Sequence, residues 1–193
     1  FWQGLGYNTR AKYVHQAAEM IIDEYGGVMP DTEKELLRLP GVGKNTAGAI
    51  LAYSFNQPAL FVETNIRTVY IHHFFADSAI VDDRAILEKL DATLDRAQPR
   101  EFYWALMDYG AWLKAQGVKN NAQSKQYKKQ SPLRGSLREM RGMIIRALSS
   151  APASHESLGS LLGDDPRLPP ALDSLRRDRL IESVDGTWQL SRK

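Results

Sequence analysis

Apolar residues recur with helical spacing along most of the chain. Within residues 9–25, Tyr13, Ala17 and Ile21 fall on one face of a helix, and the pair Gly26-Gly27 follows as a terminator. The pattern predicts a chain that is mainly α-helical, and it shows no convincing strand before residue 180. Further helices are predicted over residues 44–55, 66–75, 84–94 and 102–113.

Two of these helices are joined by a break that contains two glycines. Thr32 and Glu35 have the spacing of a capping box and begin a short helix with three leucines. The segment Pro40-Gly41-Val42-Gly43 ends that helix, and the helix over residues 44–55 is rich in alanine and glycine. Small residues of this kind predict close approach to another backbone.

The C-terminal part has a different pattern. Residues 117–135 are rich in Gly, Asn, Gln, Ser and Lys, which is typical of a linker. Short helices are predicted after it, and two strands flank the turn Asp185-Gly186, so that three helices and a hairpin suggest a winged helix. The helices cover residues 136–149, 157–162 and 169–178. The predicted organisation is a helical domain over 1–116, a basic linker over 117–135 and a winged-helix-like domain over 136–193.

Charge and composition limit the kinds of partner and chemistry. Between Trp112 and Arg146 lie nine basic residues and one acidic residue, although the net charge of the chain is only +2. Such a basic stretch favours a polyanion as partner, while a solvated linker is the alternative. The chain has no cysteine, so it forms no disulfide and no thiolate-ligated cluster, and its four histidines lack metal-ligand spacing. No apolar run approaches the roughly 20 residues that span a bilayer.

The glycine-containing break suits the binding of an anion. Glycine at 41 and 43 permits a positive φ and removes any Cβ that would obstruct a ligand. Backbone N–H groups of the turn and of the next helix start then point outward together, which is a phosphate-binding arrangement without base specificity. The alternative is a helical corner that only packs. The residues predicted to contact DNA here are Leu39, Gly41, Val42, Gly43, Lys44, Asn45 and Thr46.

Several motifs in fixed order resemble one protein family. They are Trp2-Gln3-Gly4-Leu5-Gly6-Tyr7, Leu39-Pro40-Gly41-Val42-Gly43-Lys44-Asn45-Thr46-Ala47-Gly48, Val62-Glu63-Thr64-Asn65-Ile66-Arg67 and Ala105-Leu106-Met107-Asp108-Tyr109-Gly110-Ala111. Together they resemble the helix-hairpin-helix DNA glycosylase superfamily, and most of all the adenine glycosylases that act on A opposite oxidised guanine. The resemblance covers roughly residues 1–113. It implies a helix-hairpin-helix glycosylase domain that is incomplete at its N-terminus.

The resemblance implies a catalytic carboxylate at Glu63. The family has an aspartate at this position, and glutamate keeps the charge while adding one methylene group. The alternative is that Glu63 is a surface carboxylate or helps to cap a helix. Asn65 matches a family asparagine near the carboxylate and the DNA backbone, and it would also suit a helix cap. Tyr7 matches an aromatic residue that inserts into the duplex, although a core tyrosine is equally expected there.

Three further expectations follow from the resemblance. Relatives that also nick the strand have a lysine at the position of Asn45, so a monofunctional glycosylase is expected. Many members hold an iron–sulfur cluster through four cysteines, which this chain lacks, so no cofactor and no metal are expected. The glutamate that protonates adenine lies in a helix upstream of residue 4, outside this chain.

The expected partner is double-stranded DNA, bound by a monomer in the cytoplasm and associated with the nucleoid, without membrane attachment. Two alternatives to adenine excision stay open at this point. One is a glycosylase for uracil or thymine in mismatches. The other is a catalytically silent DNA-binding module, in which the hairpin and the winged helix serve as anchors.

Overall fold

The computed structural model describes residues 8–127 and 132–191. Their contacts form two compact units, which are treated separately. The larger unit begins at Gln16, and the smaller one contains the C-terminal residues together with the start of the first helix. No helix in the described ranges is long and apolar enough to cross a membrane.

The larger unit is helical. Its α3 has the predicted bounds, whereas α4 begins two residues and α6 three residues earlier than the pattern predicted. The early start of α6 follows from Pro99, whose fixed φ and missing N–H suit the first turn of a helix. Its helices are the part of α1 (Asn8–Tyr25) from Gln16 onward, α2 (Glu33–Leu36), α3 (Lys44–Phe55), α4 (Thr64–Phe74), α5 (Asp83–Thr93) and α6 (Pro99–Ala115), followed by a 3-10 turn (Asn120–Gln123).

The main core of this unit surrounds α4. Phe61, Ile66, Ile71 and Tyr103 are fully buried, and the Tyr103 hydroxyl donates to the Ala59 carbonyl at 2.6 Å. A second cluster lies beneath the glycine-containing turn. It joins Leu36 and Leu39 before the turn to Ala47 and Leu51 after it, with Met20 and Ile21 of α1 packed alongside.

The helices α4 and α6 approach closely at Gly110. A Cβ added to this buried glycine would lie 2.5 Å from the backbone oxygen of Asn65. Only glycine therefore fits at this crossing without a shift of one of the two helices.

The chain after α6 packs against α4. The side-chain amides of Asn120 and Asn121 donate to the carbonyl and the hydroxyl of the fully buried Thr68, at 2.9 and 3.0 Å. A bridge between Val81 and Ser124 extends this attachment. Asn120, Asn121 and Ser124 fall within the segment predicted as a linker, residues 117–135. The limits of the predicted domains stay a prediction.

The smaller unit has three helices and a small antiparallel sheet. Its elements are α7 (Leu137–Ser150), β1 (Ala153–Ser154), α8 (His155–Leu162), α9 (Leu168–Arg177), β2 (Ile181–Val184) and β3 (Thr187–Leu190). The strand order is β1-β3-β2, and Asp185-Gly186 forms the predicted turn. The prediction of no strand before residue 180 is wrong, since β1 lies at Ala153–Ser154. The sequence pattern does not reveal this strand because it has only two residues and shows no alternation of apolar and polar positions. The predicted fold class, mainly α, is confirmed, whereas the winged-helix-like nature of the C-terminal part stays a prediction.

An ion-pair network joins the start of α7 to the loop before α9. The Arg167 guanidinium donates to Asp165, to Glu139 at 3.0 Å and to the Ser136 carbonyl at 3.1 Å. Hydrogen bonds from Arg167 hold the pKa of Asp165 at about 2, and they also lower the pKa of Glu139.

Candidate nucleic-acid interface and active site

The turn between α2 and α3 is held by a backbone hydrogen bond and by a buried leucine, and its two glycines are exposed to solvent. The Val42 N–H donates to the Leu39 carbonyl at 3.1 Å, and Gly41 adopts a φ of 77°. Leu39 is buried in the cluster beneath the turn, whereas Gly41 and Gly43 are exposed. A rigid turn with exposed glycines lets a ligand approach the backbone closely.

The first turn of α3 presents backbone donors to solvent. Gly43 is the N-cap residue and has no side chain to cap the helix, and its carbonyl accepts from the Ala47 N–H at 2.8 Å. Among the described residues, the N–H groups of Lys44, Asn45 and Thr46 have no acceptor, and all three residues are exposed. Their orphan donors and the positive end of the helix form a site that attracts an anion.

Glu63 stands at the start of α4 with an uncommitted carboxylate. It is the N-cap residue, but its side chain makes no capping hydrogen bond, and it is half-buried. Within the part of the chain that the structure describes, no hydrogen bond or ion pair reaches this carboxylate. The side chain of Glu63 therefore does not cap α4, although the sequence had left that role open.

The phenol of Tyr53 lies close enough to Glu63 to sense its charge. Burial, and then the negative charge of Glu63, raise the pKa of Tyr53 to about 12. The phenol thus stays protonated at neutral pH beside the carboxylate. Its ring packs edge-on against Phe61, with 5.9 Å between the ring centroids.

The side chain of Asn45 connects α3 to the segment that carries Glu63. Its Nδ2 donates to the Val62 carbonyl at 3.0 Å, and its Oδ1 accepts from the Val62 N–H at 3.5 Å. The side chain therefore points into the protein, while the backbone N–H of Asn45 stays with the exposed donors of α3. The predicted DNA contact of this residue stays a prediction, and the backbone N–H is the group that suits it.

The side chain of Asn65, two residues after Glu63, is held by residues of α6. Its Nδ2 donates to the Met107 carbonyl at 3.2 Å, and its Oδ1 accepts from the Lys114 ammonium at 2.5 Å. The expectation that Asn65 caps the helix is wrong, because Glu63 is the N-cap and Asn65 lies inside the first turn. Its predicted contact with DNA stays a prediction, and both ends of its amide already have a partner in the protein.

Lys114 is a part of the site that sequence reasoning missed. Burial and the nearby charge of Arg67 lower the pKa of this half-buried lysine. Arg67 itself forms a bidentate ion pair with Asp83, with both N–O distances at 2.8 Å. Lys114 and Asn65 are 49 residues apart, so no local pattern signals their contact.

The remaining predicted groups are placed as follows. Tyr7 lies outside the described residues. Within the described ranges, no group of three or more His, Cys, Asp or Glu residues is arranged to hold a metal ion. A cluster ligated by cysteines does not fit this chain, because the chain contains no cysteine.

The turn between α2 and α3 lies within a segment that matches a known motif. The model of the helix-hairpin-helix motif matches residues 24–53, which include α2, the turn and most of α3. The adenine DNA glycosylase of Buchnera aphidicola subsp. Baizongia pistaciae is 35% identical over 114 residues, which are 57% of this chain and 32% of the relative. The adenine DNA glycosylase of Mycobacterium tuberculosis is 29% identical over 215 aligned residues, which are 98% of this chain and 70% of the relative.

The chain is related to the helix-hairpin-helix DNA glycosylases. The resemblance that the sequence motifs predicted is thus confirmed. A solved thermostable thymine-DNA glycosylase also aligns, with 30% identity and a TM-score of 0.45, over 54% of this chain and 49% of that one. The chain spans about one third of the length of the Buchnera relative.

Proposed function

We propose that this chain is the DNA-binding and carboxylate-bearing part of a base-excision DNA glycosylase. The observation that carries the proposal is the uncommitted carboxylate of Glu63, placed at the start of α4 and tied through Asn45 to the hairpin helix. The names of the relatives support this class of activity.

The proposed reaction begins with binding at the hairpin. The free N–H groups of α3 take a phosphate of the DNA backbone and fix the position of the duplex without selecting bases. A base inside a duplex is inaccessible, so the target nucleotide leaves the stack and enters the site.

Glu63 then acts on the sugar of the extruded nucleotide. Breaking the N-glycosidic bond creates positive charge on the sugar ring, and a carboxylate beside it stabilises that charge or orients the attacking water. Since Asn45 stands where strand-nicking relatives have lysine, no amine is available there for a Schiff base. We propose a monofunctional hydrolysis without a cofactor.

The proposed substrate is adenine opposite 8-oxoguanine or guanine. The adenine DNA glycosylases among the relatives favour this base. The proposed partner is double-stranded DNA, bound by a monomer associated with the nucleoid in the cytoplasm.

Base release from defined duplexes tests the function, with the protein at its complete natural length. We expect release of adenine opposite 8-oxoguanine. Glu63→Gln should abolish release but keep duplex affinity, because the amide preserves the shape and removes the charge. The loss is measured as a single-turnover rate, and affinity is measured by fluorescence anisotropy.

Other duplexes separate the proposal from its alternatives. Release of uracil or thymine from mismatches, without release of adenine, would assign a different substrate to the same site. Binding without release from any of these duplexes would make the chain a silent DNA-binding module. Release that survives in Glu63→Gln would remove Glu63 from the chemistry.

A further inference from the structure

We infer that Asn45 is a positioning residue, which fixes the carboxylate of Glu63 relative to the phosphate bound at the hairpin. The inference rests on the proposed function and assigns a specific task to a side chain in it. Asn45 acts through the backbone of Val62 and touches no reacting atom.

The two hydrogen bonds of Asn45 satisfy a buried peptide segment. Val62 is 2% exposed, and in the described part of the chain its N–H and its carbonyl have no partner except the Asn45 amide. Buried backbone groups are nearly always paired, and leaving them unpaired is costly. Loss of this amide therefore forces the segment to move or to admit water.

The Val62 carbonyl belongs to the peptide unit that leads directly into Glu63. Because a peptide unit is planar, the 3.0 Å bond from Asn45 Nδ2 orients the plane from which the Cα of Glu63 extends. On the other side, Gly110 and Met107 of α6 hold Asn65 in place. The backbone of Glu63 is thus held from α3 before it and from α6 after it.

Asn45 also belongs to the anion-binding turn of α3. Its backbone N–H lies between those of Lys44 and Thr46, which have no acceptor in the described ranges. One residue therefore presents its backbone to the DNA phosphate and its side chain to the catalytic segment. The register of the DNA on the hairpin then sets the distance between the sugar and the carboxylate.

Asn45→Ala in the complete protein tests this role by three measurements. The single-turnover rate on a duplex with A opposite 8-oxoguanine should fall about tenfold to a hundredfold, the usual effect of a small misplacement. Affinity for a duplex with a tetrahydrofuran abasic site should not change, because the backbone donor remains. Hydrogen exchange at the Val62 amide should become faster.

Two further variants separate positioning from stability. Asn121→Ala also removes a hydrogen bond from a side-chain amide to a buried residue of α4, the hydroxyl of Thr68. This variant should keep the wild-type rate. Asn45→Asp keeps the acceptor for the Val62 N–H and lacks only the donor to the Val62 carbonyl, so its rate should also fall. The rates of all variants are compared at a temperature at which circular dichroism shows each of them to be folded.

Each other result overturns the inference. A wild-type rate in Asn45→Ala removes the positioning role and leaves the proposed function intact. An equal loss of rate in Asn121→Ala assigns the effect to stability, and an equal loss of rate and affinity in Asn45→Ala assigns Asn45 to DNA binding. A wild-type protein that releases no base from any duplex overturns the proposed function and the inference together.

Discussion

At the scale of single residues, the candidate site combines a carboxylate that has no hydrogen-bond partner in the described ranges with neighbouring groups that are hydrogen-bonded within the protein. Glu63 is half-buried and its carboxylate makes no hydrogen bond in the described ranges, while the backbone groups of Val62 and the side-chain amide of Asn65 are paired within the protein. The carboxylate is thus carried by a backbone that has little freedom to move. Catalytic groups need placement of this precision, since small displacements reduce rates strongly.

The fit at Gly110 yields a stability prediction. Gly110→Ala should lower the free energy of unfolding by about 1–3 kcal/mol, because the new Cβ meets the Asn65 backbone and one helix must shift. Urea unfolding measures the change. Gly142→Ala in α7 is the matched control, since its Cβ meets nothing within 4 Å. It should gain about 0.5–1 kcal/mol from helix propensity, and equal losses in both variants would contradict the steric account.

At the scale of elements, the periodic helices followed from the sequence, and the irregular segments did not. The bounds of α3 were predicted because a glycine turn precedes it and Asn56, in the left-handed region, ends it. The sequence pattern did not predict the two-residue β1, because this strand is defined only by its pairing with β3.

The candidate site was partly predictable for a similar reason. Glu63 and the hairpin residues stand in local motifs, which a sequence displays directly. The contacts of Asn45 with Val62 and of Lys114 with Asn65 join residues 17 and 49 positions apart, and tertiary packing alone creates them.

The Arg167 network of the smaller unit predicts acid sensitivity. The folded-state pKa values of Asp165 and Glu139 are below their ordinary values of 3.8 and 4.5. Their contribution to stability is therefore present above about pH 4.5 and is lost as the pH falls towards 2. The melting temperature measured by circular dichroism should fall less steeply over this range in Asp165→Asn than in wild type.

Asp173→Asn serves as the control for this pH series. Asp173 is exposed on α9 and makes no hydrogen bond within the described ranges. Its variant should follow the wild-type curve. Parallel curves for wild type and Asp165→Asn would show that the network does not govern the acid response.

At the scale of the whole molecule, charge is distributed unevenly for a chain with a net charge of +2. The nine basic residues between Trp112 and Arg146 and the exposed donors of α3 both favour a polyanion. Affinity for DNA should therefore weaken as salt increases, because each phosphate contact releases counterions.

Lys44 gives a quantitative form of this expectation. If Lys44 makes the proposed phosphate contact, Lys44→Ala should reduce the slope of log affinity against log salt by about 1. Lys89→Ala on α5 removes the same charge away from the hairpin and should leave the slope unchanged. Anisotropy titrations at several salt concentrations measure both, and identical slopes for Lys44→Ala and wild type would exclude a Lys44 contact.

The exposed N–H groups at the start of α3 have a consequence for how a target would be located. Main-chain donors meet the same phosphate at every step of a duplex, so each register on undamaged DNA has nearly equal energy. A protein held in this way would diffuse along the double helix and sample successive base pairs without dissociating. The time to reach a rare lesion would then depend on this one-dimensional search.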